Sequence, residues 1–188
     1  MRIISGSLKG RRIPFNNRKQ GNARVTSDFV KKAVFSSLGE SLPGLSFLDL
    51  FAGSGQMGLE ACSRGAPVVM NEPDRRKNRF IAGLLASWNL QDQIRLYALP
   101  AQKLIPRLNA EGRPFDILYL DPPYHETIDD TPVALAVLAQ IDRSNLVGKT
   151  GRVVIQHTAR LECPATLTSL TLARQKTYGE TTVTLYKK

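Results

Sequence analysis

Between residues 45 and 157, short apolar runs alternate with stretches of helical periodicity, and this alternation limits the fold more than any other feature. LSFLDLF (45–51), PVVMNE (67–72), QIRLYAL (93–99), FDILYLD (115–121) and GRVVIQH (151–157) read as strands. QMGLEACSRG (56–65), DRRKNRFIAGLLASWN (74–89), AQKLIPRLNAE (101–111) and DDTPVALAVLAQI (129–141) read as the helices between them. Asp74 is placed to cap the second of these, Pro106 marks an irregularity in the third, and Pro132 falls in the first turn of the fourth. Near-continuous apolar strands joined by helices require a parallel sheet covered on both faces. The chain ends differently. LTSLTLARQKTYGETTVTLYKK holds two alternating segments that meet at Tyr178-Gly179-Glu180, the pattern of an antiparallel hairpin. The expected class is therefore α/β: a Rossmann-like, mainly parallel sheet finished by a C-terminal antiparallel hairpin.

Charge singles out the start of the chain. The net charge is +10, from 26 Lys and Arg against 16 Asp and Glu. Met1 to Lys32 carries Arg2, Lys9, Arg11, Arg12, Arg18, Lys19, Arg24, Lys31 and Lys32 against the single acid Asp28, so +8 of the total lies there. RII and RRIPF flank SGSLKG as two short strands, which points to a folded basic hairpin and a polyanionic partner such as nucleic acid. The expected layout is a hairpin extension over residues 1–25 and a Rossmann-like domain over 26–188. TSDFVKKAVFSSLG opens the latter as a helix capped by Thr26 or Ser27, with Phe29, Val30, Ala33, Val34 and Leu38 on its apolar face. Cys62 and Cys163 belong to no CxxC or Cys/His cluster, so no metal site and two reduced thiols are expected. No apolar run approaches the roughly 20 residues of a membrane span. MRIISGSLKGRR lacks a signal-peptide core, so a cytoplasmic location is expected.

Gly53-Ser54-Gly55-Gln56-Met57-Gly58 follows the first strand and opens a helix, the context of a nucleotide-binding loop. Glu72 ends the second strand, where a carboxylate can accept bonds from both ribose hydroxyls of NAD or of S-adenosylmethionine. Two features separate these ligands. Asp49 gives the loop the form D-x-F-x-G-x-G, and an acid there suits the ammonium of a methionine moiety; its other reading is a carboxylate satisfied by backbone N–H groups. Asp121-Pro122-Pro123-Tyr124 ends the fourth strand, and a dehydrogenase has no use for it.

Transfer to an exocyclic amine does need such a motif. The lone pair of that nitrogen is delocalised into the ring. The Asp121 carboxylate and the Pro122 carbonyl can each accept one amine hydrogen and hold the nitrogen towards tetrahedral geometry. Pro122 and Pro123 fix the backbone that carries this carbonyl. Tyr124 offers a face for base stacking, worth roughly 1–3 kcal/mol. Catalysis is then positioning and electrostatics, without a metal or a covalent enzyme intermediate. A base in a structured nucleic acid would have to be flipped out to reach it. The ordered set of loop, acid and DPPY points to a class I amino methyltransferase that uses S-adenosylmethionine.

Over essentially its whole length the chain also resembles the RsmD-type 16S ribosomal RNA guanine-N2 methyltransferases. The resemblance rests on MRIISGSLKGRRI, ARVTSDFVKKAVFSSLG, FLDLFAGSGQMGLEACSRGA, LDPPY and YGETTVTLY. It implies methylation of the exocyclic N2 of one guanine in small-subunit rRNA, within an assembled or partly assembled 30S particle. It implies that Asp49, Phe51, Gly53, Ser54, Gly55 and Glu72 line the adenosylmethionine site. Asp121, Pro122 and Tyr124 would hold the guanine, and Arg2, Lys9, Arg11, Arg12, Arg24, Lys31 and Lys32 would meet RNA phosphates. The chain departs from the family pattern at Val25, Phe29 and Lys32, at Pro100 where an acid is expected, and at Gln156 where strand five often ends in Glu. Rival readings are a DNA adenine-N6 methyltransferase, for which 188 residues leave no separate recognition domain, and a non-catalytic RNA-binding assembly factor. His125 could meet the pocket rim or RNA, His157 is expected at a strand end and Trp88 in packing, and Met57 could equally touch the cofactor or pack. A monomer is expected.

Overall fold

The computed structural model describes residues 1–20 and 26–188, and by contact it divides into two compact units, Met1–Leu99 and Pro100–Lys188. In the first unit the strands Ile94–Tyr97, Val68–Asn71 and Phe47–Asp49 lie in that order and pair in parallel; in the second, Phe115–Leu120 pairs in parallel with Val147–Thr158, and Thr181–Lys187 pairs antiparallel with both Val147–Thr158 and Thr171–Tyr178.

The first unit holds α1 (Asn17–Gln20), α2 (Asp28–Leu38), β1 (Phe47–Asp49), α3 (Gln56–Ser63), β2 (Val68–Asn71), α4 (Arg75–Trp88) and β3 (Ile94–Tyr97). Ser27, not Thr26, caps α2 by accepting from Val30 N–H at 3.2 Å. Asp74 caps α4 as expected, accepting from the N–H groups of Arg76 and Lys77. The buried face of α2 is shifted from the one its hydrophobicity indicates. Val30, Val34 and Leu38 are buried as expected, but Phe29 is 66% exposed and Lys31 is fully buried. Lys31 takes an inward place because Glu60, on the facing helix α3, supplies an opposite charge at 3.5 Å.

The basic hairpin is present, although its ladder is a single bridge between Arg2 and Arg12. Ile3 N–H donates to Arg11 O, and Gly10 N–H donates to Ile3 O. Its turn is bound to α3. Glu60 accepts from the N–H groups of Ile4 and Ser5 at 2.9 and 3.0 Å, and Ser7 N–H donates to Ser63 O at 2.7 Å. Buried Ile3, Leu8 and Ile13 supply its apolar underside.

The second unit holds α5 (Ala101–Ala110), β4 (Phe115–Leu120), β5 (Thr127–Ile128), β6 (Thr131–Pro132), α6 (Val133–Asp142), β7 (Val147–Thr158), β8 (Thr171–Tyr178) and β9 (Thr181–Lys187). β8 and β9 form the expected terminal hairpin, turning at Gly179 with φ 62°. One element differs from the sequence expectation. Residues 127–132 form a separate hairpin, so α6 begins at Val133 rather than at Asp129. Asp129 and Asp130 adopt φ of 47° and 60°. Two successive left-handed residues make the tight turn that matches strand twist, and Asp tolerates that region better than most residues. The same two acids read in sequence as a helix start.

Candidate functional site

In the first unit, the carboxyl ends of β1, β2 and β3 are tied together by two asparagines that the sequence reading passed over. Asn71 donates to Leu50 O and Leu99 O at 3.1 and 2.9 Å and accepts from Leu99 N–H. Asn78, on α4, donates to Glu72 O and Tyr97 O at 3.1 and 2.8 Å. A buried polar residue after apolar Val-Val-Met is the signal that could have found Asn71.

The glycine loop spans the end of β1 and the start of α3. Gly53 and Gly55 take φ of 57° and 78°, and Gly55 stands at the N-cap of α3 with its N–H bonded to Ala52 O at 2.7 Å. Phe51 and Ser54 lie in the same turn, Ser54 buried. Gly58 lies against β2, with Met70 where its Cβ would be. Asp49 is 1% exposed, and its Oδ2 accepts from Gly58 N–H at 2.9 Å. This bond to a backbone N–H steadies the first turn of α3. Glu72 holds the loop from the other side, accepting from Gly53 N–H at 2.8 Å and Asp74 N–H at 2.9 Å. Burial pushes the Glu72 carboxyl above its ordinary value, against the lowering effects of the Asp74 and Gly53 donors and of the Lys77 charge. A loop turned by two left-handed glycines, with Gly53 partly exposed and Gly55 buried, beside a carboxylate with spare lone pairs, fits an adenosyl ligand.

In the second unit, DPPY follows β4. Asp121 is half-buried and Pro122 buried, while Pro123 faces solvent. Asp121 Oδ2 accepts from Gln156 Nε2 at 3.1 Å, and Gln156 Oε1 accepts from Tyr119 Oη at 2.9 Å. Tyr124 is half-buried, and its hydroxyl donates to Thr181 Oγ1 at 3.4 Å, which tethers one edge of the ring to β9. His125 is exposed beside the motif. His157 is buried at a strand end, as expected; it contacts Thr184 Oγ1 at 2.9 Å and Cys163 Sγ at 3.4 Å. That pair is no activated nucleophile, because burial pushes the Cys163 thiol up and the His157 imidazole down, leaving both neutral.

The expected phosphate contacts separate. Arg2, Lys9, Arg11, Arg12 and Lys32 are exposed, and the Arg11 guanidinium lies over the Trp88 ring at 5.1 Å. Arg24 lies outside the described residues. Lys31 is a correction: its ammonium is buried against Asp28, Glu60 and the Arg2 carbonyl, and it leaves the set that can reach a phosphate. Among the described residues, no group of three or more His, Cys, Asp or Glu is arranged to hold a metal, and no helix is long and apolar enough to cross a membrane.

The chain is similar to the Bacillus subtilis protein YlbH, at 33% identity over 189 residues covering 100% of this chain and 99% of YlbH. It is similar to ribosomal RNA small subunit methyltransferase D of Escherichia coli K12, at 25% identity covering 100% of this chain and 90% of that one. The solved structure of a Thermus thermophilus protein, TTHA0928, superposes with a TM-score of 0.82 at 30% identity, covering 98% of each chain. The fold is that of the class I methyltransferases. Residues 1–187 match the family model described as Conserved hypothetical protein 95, and the chain belongs to that family, the RsmD-type family its motifs resemble.

Proposed function

We propose that this protein methylates the exocyclic N2 amine of a guanine in 16S rRNA, using S-adenosylmethionine, on a 30S particle or an assembly intermediate in the cytoplasm. The observation that carries the reading is the acceptor at the end of β4. Asp121 is partly exposed and bonded to a buried amide, as a carboxylate positioned to take an amine hydrogen should be. The names of full-length relatives, which include ribosomal RNA small subunit methyltransferase D, support RNA over DNA.

Gly53, Gly55 and Glu72 would hold the cofactor, with Phe51 and Ser54 in the same loop. S-adenosylmethionine held there would supply the methyl group, the carbon–sulfur bond giving way to a carbon–nitrogen bond and leaving a neutral thioether. Asp121 and the Pro122 carbonyl accept the two amine hydrogens and aim the nitrogen lone pair. Tyr124 stacks on the base. The methylated nitrogen gives up one proton to solvent, so no dedicated base is required and His125 is left outside the chemistry. Arg2, Lys9, Arg11, Arg12 and Lys32 draw in the RNA backbone. Exposed Arg75, Arg76 and Arg79 extend that basic face along α4, against which α1 packs with Arg18 and Lys19.

The test offers tritiated S-adenosylmethionine with naked rRNA, with 30S particles lacking the modification, and with duplex DNA. Label is expected in the N2 of a 16S guanine. Label in DNA alone would overturn the reading in favour of an adenine-N6 enzyme. RNA binding without label anywhere would favour a non-catalytic assembly factor. Asp121→Ala is expected to lower the rate by at least about 100-fold while cofactor affinity stays within about twofold.

A further inference from the structure

We propose that Gln156 is a positioning residue for Asp121, and that Tyr119 decides which way Gln156 faces; this rests on the reading of Asp121 as the amine acceptor. β4 and β7 run parallel, with Tyr119 opposite Val154 and Leu120 opposite Ile155. One step on, this register sets Asp121 beside Gln156. Tyr119 on β4 and Asp121 just past its end are two residues apart in extended chain and share a face. The Gln156 amide spans both, donating to Asp121 Oδ2 at 3.1 Å and accepting from Tyr119 Oη at 2.9 Å.

The polarity of this relay is forced. A carboxylate only accepts, so the amide nitrogen must face it. The amide oxygen then faces Tyr119, whose hydroxyl supplies the hydrogen. Turning the amide over would set its oxygen against the carboxylate. Gln156 and Tyr119 are 2% and 1% exposed, so water does not compete for the bond between them. Asp121 can turn about its Cβ–Cγ bond, and the bond to Oδ2 fixes that angle. A neutral donor is essential here. A glutamate in the same place could do the same only while protonated, because two adjacent carboxylates share a proton and lose it as pH rises.

The experiment compares Gln156→Met, Gln156→Glu, Tyr119→Phe and Asp121→Asn in single-turnover assays on 30S substrate from pH 6 to 9. Affinities for RNA and for S-adenosylhomocysteine are measured alongside. Gln156→Met is expected to slow methyl transfer about 10–100-fold with both affinities within about twofold, since misplacing a reacting group costs rate rather than binding. Gln156→Glu is expected near wild type at pH 6 and progressively slower towards pH 9, a limb that the wild-type profile lacks. Its recovery at low pH excludes misfolding as the cause. Tyr119→Phe is expected to move the rate in the same direction by less. Normal rates and an unchanged pH profile in both Gln156 variants, with Asp121→Asn inactive, would overturn the positioning role alone. Full activity of Asp121→Asn would overturn the acceptor reading and the positioning role with it.

Discussion

A Cβ on Gly58 would lie 2.4 Å from Met70 Cε and 2.9 Å from Met70 Cγ. Gly58→Ala gains helix propensity of about 1 kcal/mol, but overpacking costs about 1–3 kcal/mol, so a net loss is expected. A lowered thermal midpoint with the loop's ligand affinity also reduced would confirm it. The third glycine of the motif is thus where α3 meets β2. Glu72 gives a pH-dependent prediction. Burial raises its carboxyl, so the acceptor form is lost at a higher pH than for an ordinary glutamate. S-adenosylhomocysteine affinity, followed by calorimetry from pH 8 to 5, should weaken as pH falls through that raised value. Glu72→Gln should bind more weakly and remove this dependence. Asp142 has the opposite sign. Burial pushes it up, but donors from Ser169 and Thr168 outweigh this and hold it low. The stability it contributes is present above the ordinary aspartate value and is lost as pH falls through the depressed one. The gap in thermal midpoint between wild type and Asp142→Asn should therefore close in acid.

At the scale of elements, the hairpin of residues 1–13 is held by two side chains of α3, Glu60 and Ser63, the latter accepting from Leu8 N–H and donating to Ser5 O. Glu60 accepts two hairpin N–H groups and two bonds from Arg64, at 3.1 and 3.0 Å, while facing buried Lys31. Glu60→Gln leaves Lys31 and Arg64 with one fewer buried counter-charge. A loss on the order of 3–5 kcal/mol is expected, with proteolytic nicking near residues 1–13 appearing before global unfolding. Nicking no faster than in wild type would show that the hairpin is held chiefly by Ile3, Leu8 and Ile13. The amphipathic pattern of α2 was legible but its rotation was not, because hydrophobicity assigns Phe29 inward and Lys31 outward. Only the presence of Glu60 across the interface reverses them. The hairpin of residues 127–132 was hidden for a related reason: Asp129-Asp130 serves a helix N-terminus or a tight turn equally well in one dimension.

For the whole molecule, the net charge of +10 carries a quantitative expectation about RNA. Each exposed cation that neutralises a phosphate steepens the dependence of log affinity on log salt by about 0.7–0.9. Removing Arg12 or Lys32 should reduce that slope by roughly one contact while weakening binding to all RNA sequences alike. Lys31→Met should leave the slope unchanged and lower stability instead, and a reduced slope for it would return Lys31 to the RNA face. The sequence by itself determined the alternating α/β order, the parallel sheet with its antiparallel end, the glycine loop and DPPY, because local periodicity, turn chemistry and short motifs are written in neighbouring residues. It also marked Gln156 as unusual. Tertiary structure alone decided that Asp49 bonds the first turn of α3, that Lys31 is buried, and that Gln156 joins Tyr119 to Asp121. Those three outcomes depend on pairing groups that are not neighbours in the chain: Asp49 with Gly58, Lys31 with Glu60, and Asp121 with Gln156. A polar residue's role follows from the partner that satisfies it, and the chain order does not say which partner that will be.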